Sequence, residues 1–295
     1  MSNIKYLYTN GASFSQGFGL PDIKNERHSA ILAKHFGWVD CCYAMIAGSN
    51  ERIIRTTLNW VAGNPKKVNK TFYLIGICPL ERFELYFKTK NMFLQCGNDL
   101  ISFLDGGEGL EQDSFAEYAE IGKTFWKNYL IHFFTEEMIV MKTLQNIILL
   151  QSVFKSIGAP HLFYNAQTSC LDYRKEKMLP PNSPFNPRID WNDKLSVLKS
   201  INLKDRKYEA TVQKNLTGNL KWSDNYINNL IDLKYFYTGD HTSYEEFCMS
   251  VNRNKTTNGV MDFWVSEDDG HPNAKYNKLW AEELLPYIEE IINDV

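Results

Sequence analysis

The sequence predicts an α/β fold: a three-layer, doubly wound parallel sheet of four to five strands with helices on both faces. Three observations carry the prediction. Short β-branched and aromatic runs alternate with helical patterns as far as residue 166. One run, TFYLIGIC at 71–78, is almost uniformly apolar, as a parallel strand covered on both faces must be. Turn residues such as Asn10-Gly11 and Gly63-Asn64-Pro65 fall where the patterns stop.

Residues 4–9 read as the first strand, with Ser13 on the turn behind it. Residues 27–36 carry a helical pattern in His28, Ile31, Leu32 and His35. Residues 38–46, WVDCCYAMI, read as a second, largely buried strand. Asn50 is placed to cap the next helix, whose apolar face is Ile54, Leu58 and Val61, flanked by Ile53 and Trp60. After the third strand, residues 84–112 read as irregular. Their glycine loop at 106–109 lacks the context of a phosphate-binding loop. Residues 113–157 read as two helices. The second starts near Thr135 and carries Met138, Met141, Leu144, Ile148 and Gln151 on one side. Gly158 and Pro160 end it, and residues 161–166 are the fourth strand. Strand–helix–strand alternation implies right-handed crossovers.

Residues 171–258 break the rhythm with Pro180, Pro181, Pro184 and Pro187, many charges and scattered aromatics such as Trp191, Trp222 and Tyr235. They read as an insertion or subdomain within one domain spanning 1–295, with a helix near 224–233. Its aromatics suit a small local core, a carbohydrate or a protein partner.

At 295 residues and 44% apolar, the chain can bury a core and is not globally disordered. A net charge of −3 without a lysine/arginine block argues against nucleic-acid binding. The six cysteines form no C-x-x-C pair, and no histidine sits at zinc-ligand spacing. They are expected to be reduced and at least half-buried, with no metal or cofactor. The amino terminus shows no signal-peptide pattern. The longest apolar stretch, Met138 to Phe154, is broken by Lys142, Gln145, Asn146 and Gln151, too polar for a membrane span. The expected setting is the cytoplasm, without membrane contact.

Two stretches carry the chemistry. The first is Tyr6 to Gly19, YLYTNGASFSQGFG. It places Ser13 just past the carboxyl end of the first strand, where open α/β sheets carry reactive groups. The alternative for Ser13 is a helix cap. The second is Ser266 to Tyr276, SEDDGHPNAKY, ahead of a helical pattern in Leu279, Leu284, Leu285, Ile288, Ile291 and Ile292. An acid shortly before His271 can hold its imidazole in one tautomer, so that the imidazole deprotonates a serine. Asp268 and Asp269 both stand there. The alternative is an ordinary helix-entry loop.

Together, G-x-S-x-x-x-G after the first strand and D-x-x-H-P-N before the last helix resemble the SGNH (GDSL-like) hydrolases. The likeness is strongest to the SGNH-like proteins of tailed phages and marine bacteria. Ala47 to Arg55, AGSNERIIR, is similar to that family's second block. The resemblance covers about residues 4–90, 160–167 and 262–292 and leaves most of 171–258 outside.

It implies a flavodoxin-like sheet of SGNH type and a serine esterase or deacylase. The substrate would be a small or carbohydrate O-acyl ester, with water or another alcohol accepting the acyl group. Ser13 would be the nucleophile and His271 the base. Family spacing selects Asp268 over Asp269 as the acid. The amides of Ser13 and Gly48 would form the oxyanion hole. Two blocks depart from the family. Gly11-Ala12-Ser13 replaces G-D-S, and Gly76-Ile77-Cys78 replaces G-x-N, which removes a side-chain donor. Asn50 is the first substitute, with an equal role as helix cap; Asn10 and Asn165 are the others. Arg52, Arg55 and Arg82 stand near strand ends, where they would either meet an anionic substrate or be solvated; Asn165 is a further substrate-binding candidate. The other reading is a catalytically weak or inactive structural or interaction protein of phage type, virion-associated and meeting a partner through 171–258.

Overall fold

Four parallel strands form the centre of a computed structural model of the chain. The structure describes residues 3–78, 82–87, 92–96, 136–167, 230–241, 243–251, 256–257, 260–261, 263–266 and 269–294. Strand β1 is Tyr6–Asn10, β2 Val39–Cys42 and β3 Thr71–Ile77. A hairpin, β4 (Phe83–Phe87) and β5 (Met92–Cys96), comes before β6 (His161–Asn165). The sheet order is β2-β1-β3-β6, with every pairing parallel.

Both faces are covered, because successive side chains of a strand point to opposite sides. On one face Tyr8, Tyr73, Ile75, Ile77 and Phe163 pack with Ile53 and Trp60 of the helix Asn50–Gly63 and with Leu144, Ile147 and Phe154 of the helix Glu136–Ser156. On the other, Leu7, Phe72, Leu74, Leu162 and Tyr164 pack with Leu32 and Ala33 of the helix His28–Phe36. Trp280, Leu284 and Ile288 of the terminal helix Ala274–Asn293 complete that side. This is the three-layer α/β architecture expected, with four sheet strands among the described residues.

Several local expectations change. Strand β2 is short and lies at the end of the strand order, with Val39 57% exposed and its other residues half-buried. Its apolar composition signalled a strand but not its place in the sheet. The helix Asn50–Gly63 buries Asn50, Ile53, Thr57 and Trp60. Ile54, Leu58 and Val61 are only partly buried. The stripe is rotated because two polar residues face inward. Asn10 Nδ2 lies 2.7 Å from Thr56 Oγ1, 3.1 Å from Thr57 Oγ1 and 3.0 Å from the Tyr8 hydroxyl. Buried polar groups that satisfy one another are tolerated in a core. Ser49 caps this helix by accepting from the Arg52 amide at 3.2 Å. Asn50 instead clamps the end of β3: Cys78 N–H donates to its Oδ1 at 2.9 Å, and its Nδ2 donates to Cys78 O at 3.1 Å.

The stretch expected to be irregular begins with the β4–β5 hairpin, and residues 97–112 lie outside the described residues. The sequence between the strands, Lys88 to Asn91, has no glycine or proline to announce a turn. Arg55 is partly exposed, and its guanidinium is paired. It forms two 2.7 Å hydrogen bonds to Glu84 and lies 3.8 Å from the centre of the Phe93 ring. Residues 113–135 are outside the described set. In the helix that follows, Leu144 and Gln151 of the expected stripe are buried, while Met141 and Ile148 are half-buried. Most of 171–258, including residues 224–229 of the helix expected near 224–233, is also outside, but its last part joins the core. Tyr237 N–H donates to Phe163 O at 2.7 Å, and Tyr244 stacks on Trp280 at 4.8 Å. Cys41, Cys42, Cys78 and Cys248 are free thiols, half-buried or buried.

Two histidines are locked in the core. Burial pushes the pKa of His28 down to about 4, against a hydrogen bond to Asn277 Oδ1 that opposes the shift. Burial does the same for His161, also to about 4, where the Ala159 carbonyl opposes it. Between about pH 6.5 and pH 4 the unfolded chain therefore binds protons that the folded chain refuses. Stability is full above that window and falls as pH drops through it, by at most about 3 kcal/mol per histidine. Urea unfolding at pH 7 and pH 4.5 should show the loss, and His28→Gln should make it shallower. Asn50→Ala should remove both hydrogen bonds to the Cys78 backbone and lower stability by about 1–3 kcal/mol in the same assay.

Candidate functional site

The carboxyl rim of the sheet carries the candidate site, and glycine makes it possible. A Cβ on Gly76 would lie 2.5 Å from Ser15 Oγ and 2.8 Å from the Tyr164 hydroxyl, and one on Gly11 would collide with Ser15 Oγ. Without those atoms the short helix Ser13–Gln16 settles directly onto the ends of β1 and β3. Gly17, with φ 76°, closes it.

Ser13 is the first residue of this helix; Ala12 holds the cap position, where no side-chain capping bond is made. The capping role weighed for Ser13 is therefore absent. Its side chain is nearly buried, at 4% exposure. The first amides of a helix have no partner within it. Those of Ser13, Phe14 and Ser15 meet no acceptor among the described residues.

Gly48 stands beside the same turn, where a Cβ would lie 3.0 Å from Gly11 O. Its N–H donates to Met45 O at 3.0 Å. Of the two amides expected to serve an oxyanion, only that of Ser13 is open. Asn50 has turned its carboxamide to Cys78, as described above. Asn10 is the hub of the buried network under the rim, its Oδ1 accepting from Gly11 N–H at 2.9 Å. Asn165 is buried at the end of β6, paired with Ile77. Arg52 points inward, donating to Tyr43 O at 2.9 Å and Asn10 Oδ1 at 3.4 Å. Arg82 is half-buried just before β4.

The other half of the site comes from the far end of the chain. Two-residue strands β7 (Thr256–Thr257) and β8 (Val260–Met261) lead to β9 (Trp264–Ser266) and β10 (Asp269–Pro272), which pair antiparallel. Asn273 fixes the exit: it caps the terminal helix through Tyr276 N–H and donates from Nδ2 to Trp264 O at 3.2 Å. This explains an asparagine after the His-Pro pair.

Asp269 Oδ1 lies 2.5 Å from His271 Nδ1 and also accepts the His271 amide at 3.1 Å. With a carboxylate on Nδ1, that nitrogen carries the proton and Nε2 keeps its lone pair. Asp268 lies outside the described residues. Family spacing points to Asp268, while the described strand brings Asp269 to the imidazole. In an extended strand, residues two apart share a face, so β10 puts Asp269 and His271 on the same side. The D-G-H spacing is the sequence signal for the Asp269–His271 contact.

The two ends meet. The His271 ring packs 5.6 Å from Phe14 and 5.0 Å from Phe18, centre to centre, and Phe14 and Phe18 belong to the serine turn. Gly19, at φ 81°, lies so close to the Asp269 carboxylate that a Cβ there would strike it. Ser13 and His271 are not hydrogen-bonded to each other. The arrangement supplies a serine at a strand end, an open amide, and an imidazole oriented by a carboxylate. Among the described residues no cluster of three or more metal-ligating side chains occurs, and no helix is long and apolar enough to cross a membrane.

Comparison of folds finds TesA at 13% identity and TM-score 0.44, over 97% of this chain and 99% of that one. The psychrotrophic esterase EstA from Pseudoalteromonas sp. matches at 13% identity and TM-score 0.43, over 98% and 99%. A GDSL-like lipase from Bacteroides thetaiotaomicron matches at 12% identity and TM-score 0.37, over 97% and 88%. No curated protein matches the sequence. A family model does match, over residues 14–191, starting one residue after Ser13 and ending well before His271. That match spans more than half of the chain, which therefore belongs to DUF6071, a family of unknown function.

Proposed function

We propose that this chain is a serine hydrolase of SGNH type that cleaves an O-acyl ester on a small molecule or carbohydrate. The observation that carries the reading is the Asp269–His271 hydrogen bond, in a strand packed against the Ser13 turn. In the first step Ser13 Oγ attacks the ester carbonyl while His271 Nε2 takes its proton. The alcohol leaves with that proton, and the acyl group stays on Ser13. Water then repeats the sequence and releases the acid. Asp269 holds the imidazole tautomer and offsets its positive charge. The Ser13 amide supports the oxyanion.

A second reading has its own observations. The Gly48 amide is engaged with Met45, Cys78 stands where the resembled family has a donor, and Ser13 is not bonded to His271. These favour a weakly active scaffold whose role is to bind a partner. Loss of one oxyanion donor alone typically costs about 100- to 1000-fold in rate.

Wild-type protein should hydrolyse p-nitrophenyl acetate and react with a fluorophosphonate probe, and Ser13→Ala should do neither. Equal rates in the two proteins would end the hydrolase reading. Asp269→Asn should lower kcat by about 10²- to 10⁴-fold with the fold intact, whereas Asp268→Asn should stay within a few-fold of wild type. The reverse ranking would return the acid's role to Asp268.

A further inference from the structure

One group of buried polar side chains has no part in the chemistry above. Ser15, Tyr164, His28 and Asn277 are each fully buried, and they come from four different elements. Ser15 Oγ lies 2.8 Å from the Tyr164 hydroxyl, and that hydroxyl lies 3.0 Å from His28 Nε2. On the far side of the ring, His28 Nδ1 lies 3.4 Å from Asn277 Oδ1, which also accepts the His28 amide at 3.2 Å. Asn277 Nδ2 donates to Pro272 O at 2.9 Å and to Asn273 O at 3.1 Å.

The partners assign the protons. Asn277 Oδ1 only accepts, so His28 carries its ring proton on Nδ1 and presents a lone pair at Nε2. Tyr164 then donates to His28, and Ser15 donates to Tyr164. Burial that keeps His28 neutral agrees with this tautomer. The result is one directed chain of hydrogen bonds. It starts two residues after Ser13 and ends on the carbonyl of Pro272, the residue after His271.

We infer that this buried chain sets the position of the histidine strand relative to the serine turn, with Tyr164 as its central positioning residue. Gly11 and Gly76 fit the same role, since a side chain at either would displace Ser15, and at Gly76 also the Tyr164 hydroxyl. A core with apolar residues at these four places would hold the same layers together but would not fix their register. Hydrogen bonds are directional, and apolar contacts are not. The inference rests on the hydrolase reading for its effect on rate, but not for its effect on His271 itself.

The test is Tyr164→Phe, which removes one oxygen and keeps the ring packed. With p-nitrophenyl acetate, kcat should fall about 10- to 100-fold while KM stays within twofold, the pattern of misplaced reacting groups. Ile288→Val, a core change on the terminal helix away from the chain, is the comparison for lost stability and should keep kcat within twofold. Histidine-labelled NMR reads the His271 imidazole directly in both proteins. Its resonances should move in Tyr164→Phe and stay in place in Ile288→Val. Unmoved His271 resonances in Tyr164→Phe overturn the inference, whether or not the protein hydrolyses esters. Moved resonances in a protein whose wild type hydrolyses nothing support positioning and end the hydrolase reading. If Tyr164→Phe does not fold, Ser15→Ala cuts the chain at the serine turn and carries the same expectations.

Discussion

The close seating of the Ser13 helix on the sheet rim depends on two missing Cβ atoms. Gly11 leaves β1 with φ 157°, and Gly76 lies near the end of β3. Ser15 occupies the space between them and reaches Tyr164 on the neighbouring strand β6. A methyl group at either glycine would push the helix off the rim, since packed interiors have little slack. The position of Ser13, its open amide and its approach to the histidine strand all follow from this contact.

The rim is supported from below by polar atoms. Asn10, Tyr8, Thr56 and Thr57 tie the end of β1 to one helix, and Asn50 ties that helix to the end of β3. On the other face, Tyr164, His28 and Asn277 run through the second helical layer to the terminal strand. Such networks are costly when incomplete and specific when complete. They fall where the chain must hold loops from distant parts of the sequence in register. The rest of the core is mainly aromatic and aliphatic, as in the Tyr73–Phe154 and Tyr244–Trp280 stacks.

The terminal strand illustrates how orientation is achieved with few residues. Asp269 and His271 face one way because β10 is extended. Asn273 anchors the turn that follows, and Phe14 and Phe18 wall the imidazole from the serine side. Met45 takes the Gly48 amide, in a turn where Ala47 adopts a left-handed φ of 56°. A non-glycine residue is uncommon there and marks a backbone held by its surroundings.

The sequence by itself determined the layer architecture, through the alternation of strand and helix patterns and the uniformly apolar run at 71–78. The paired motifs, through their resemblance to a known family, also made Ser13 and His271 the candidates; the local turn signals alone left each a purely structural alternative. Tertiary structure alone decided which carboxylate meets the imidazole, because that depends on whether residues 269–272 are extended or looped. It alone placed β2 at the end of the strand order and turned Thr57 inward, because burial depends on neighbours that are remote in the chain. The Ser15–Tyr164–His28–Asn277 chain left no mark in the sequence. Its members are up to 262 positions apart, and a buried hydrogen bond has no periodicity to read.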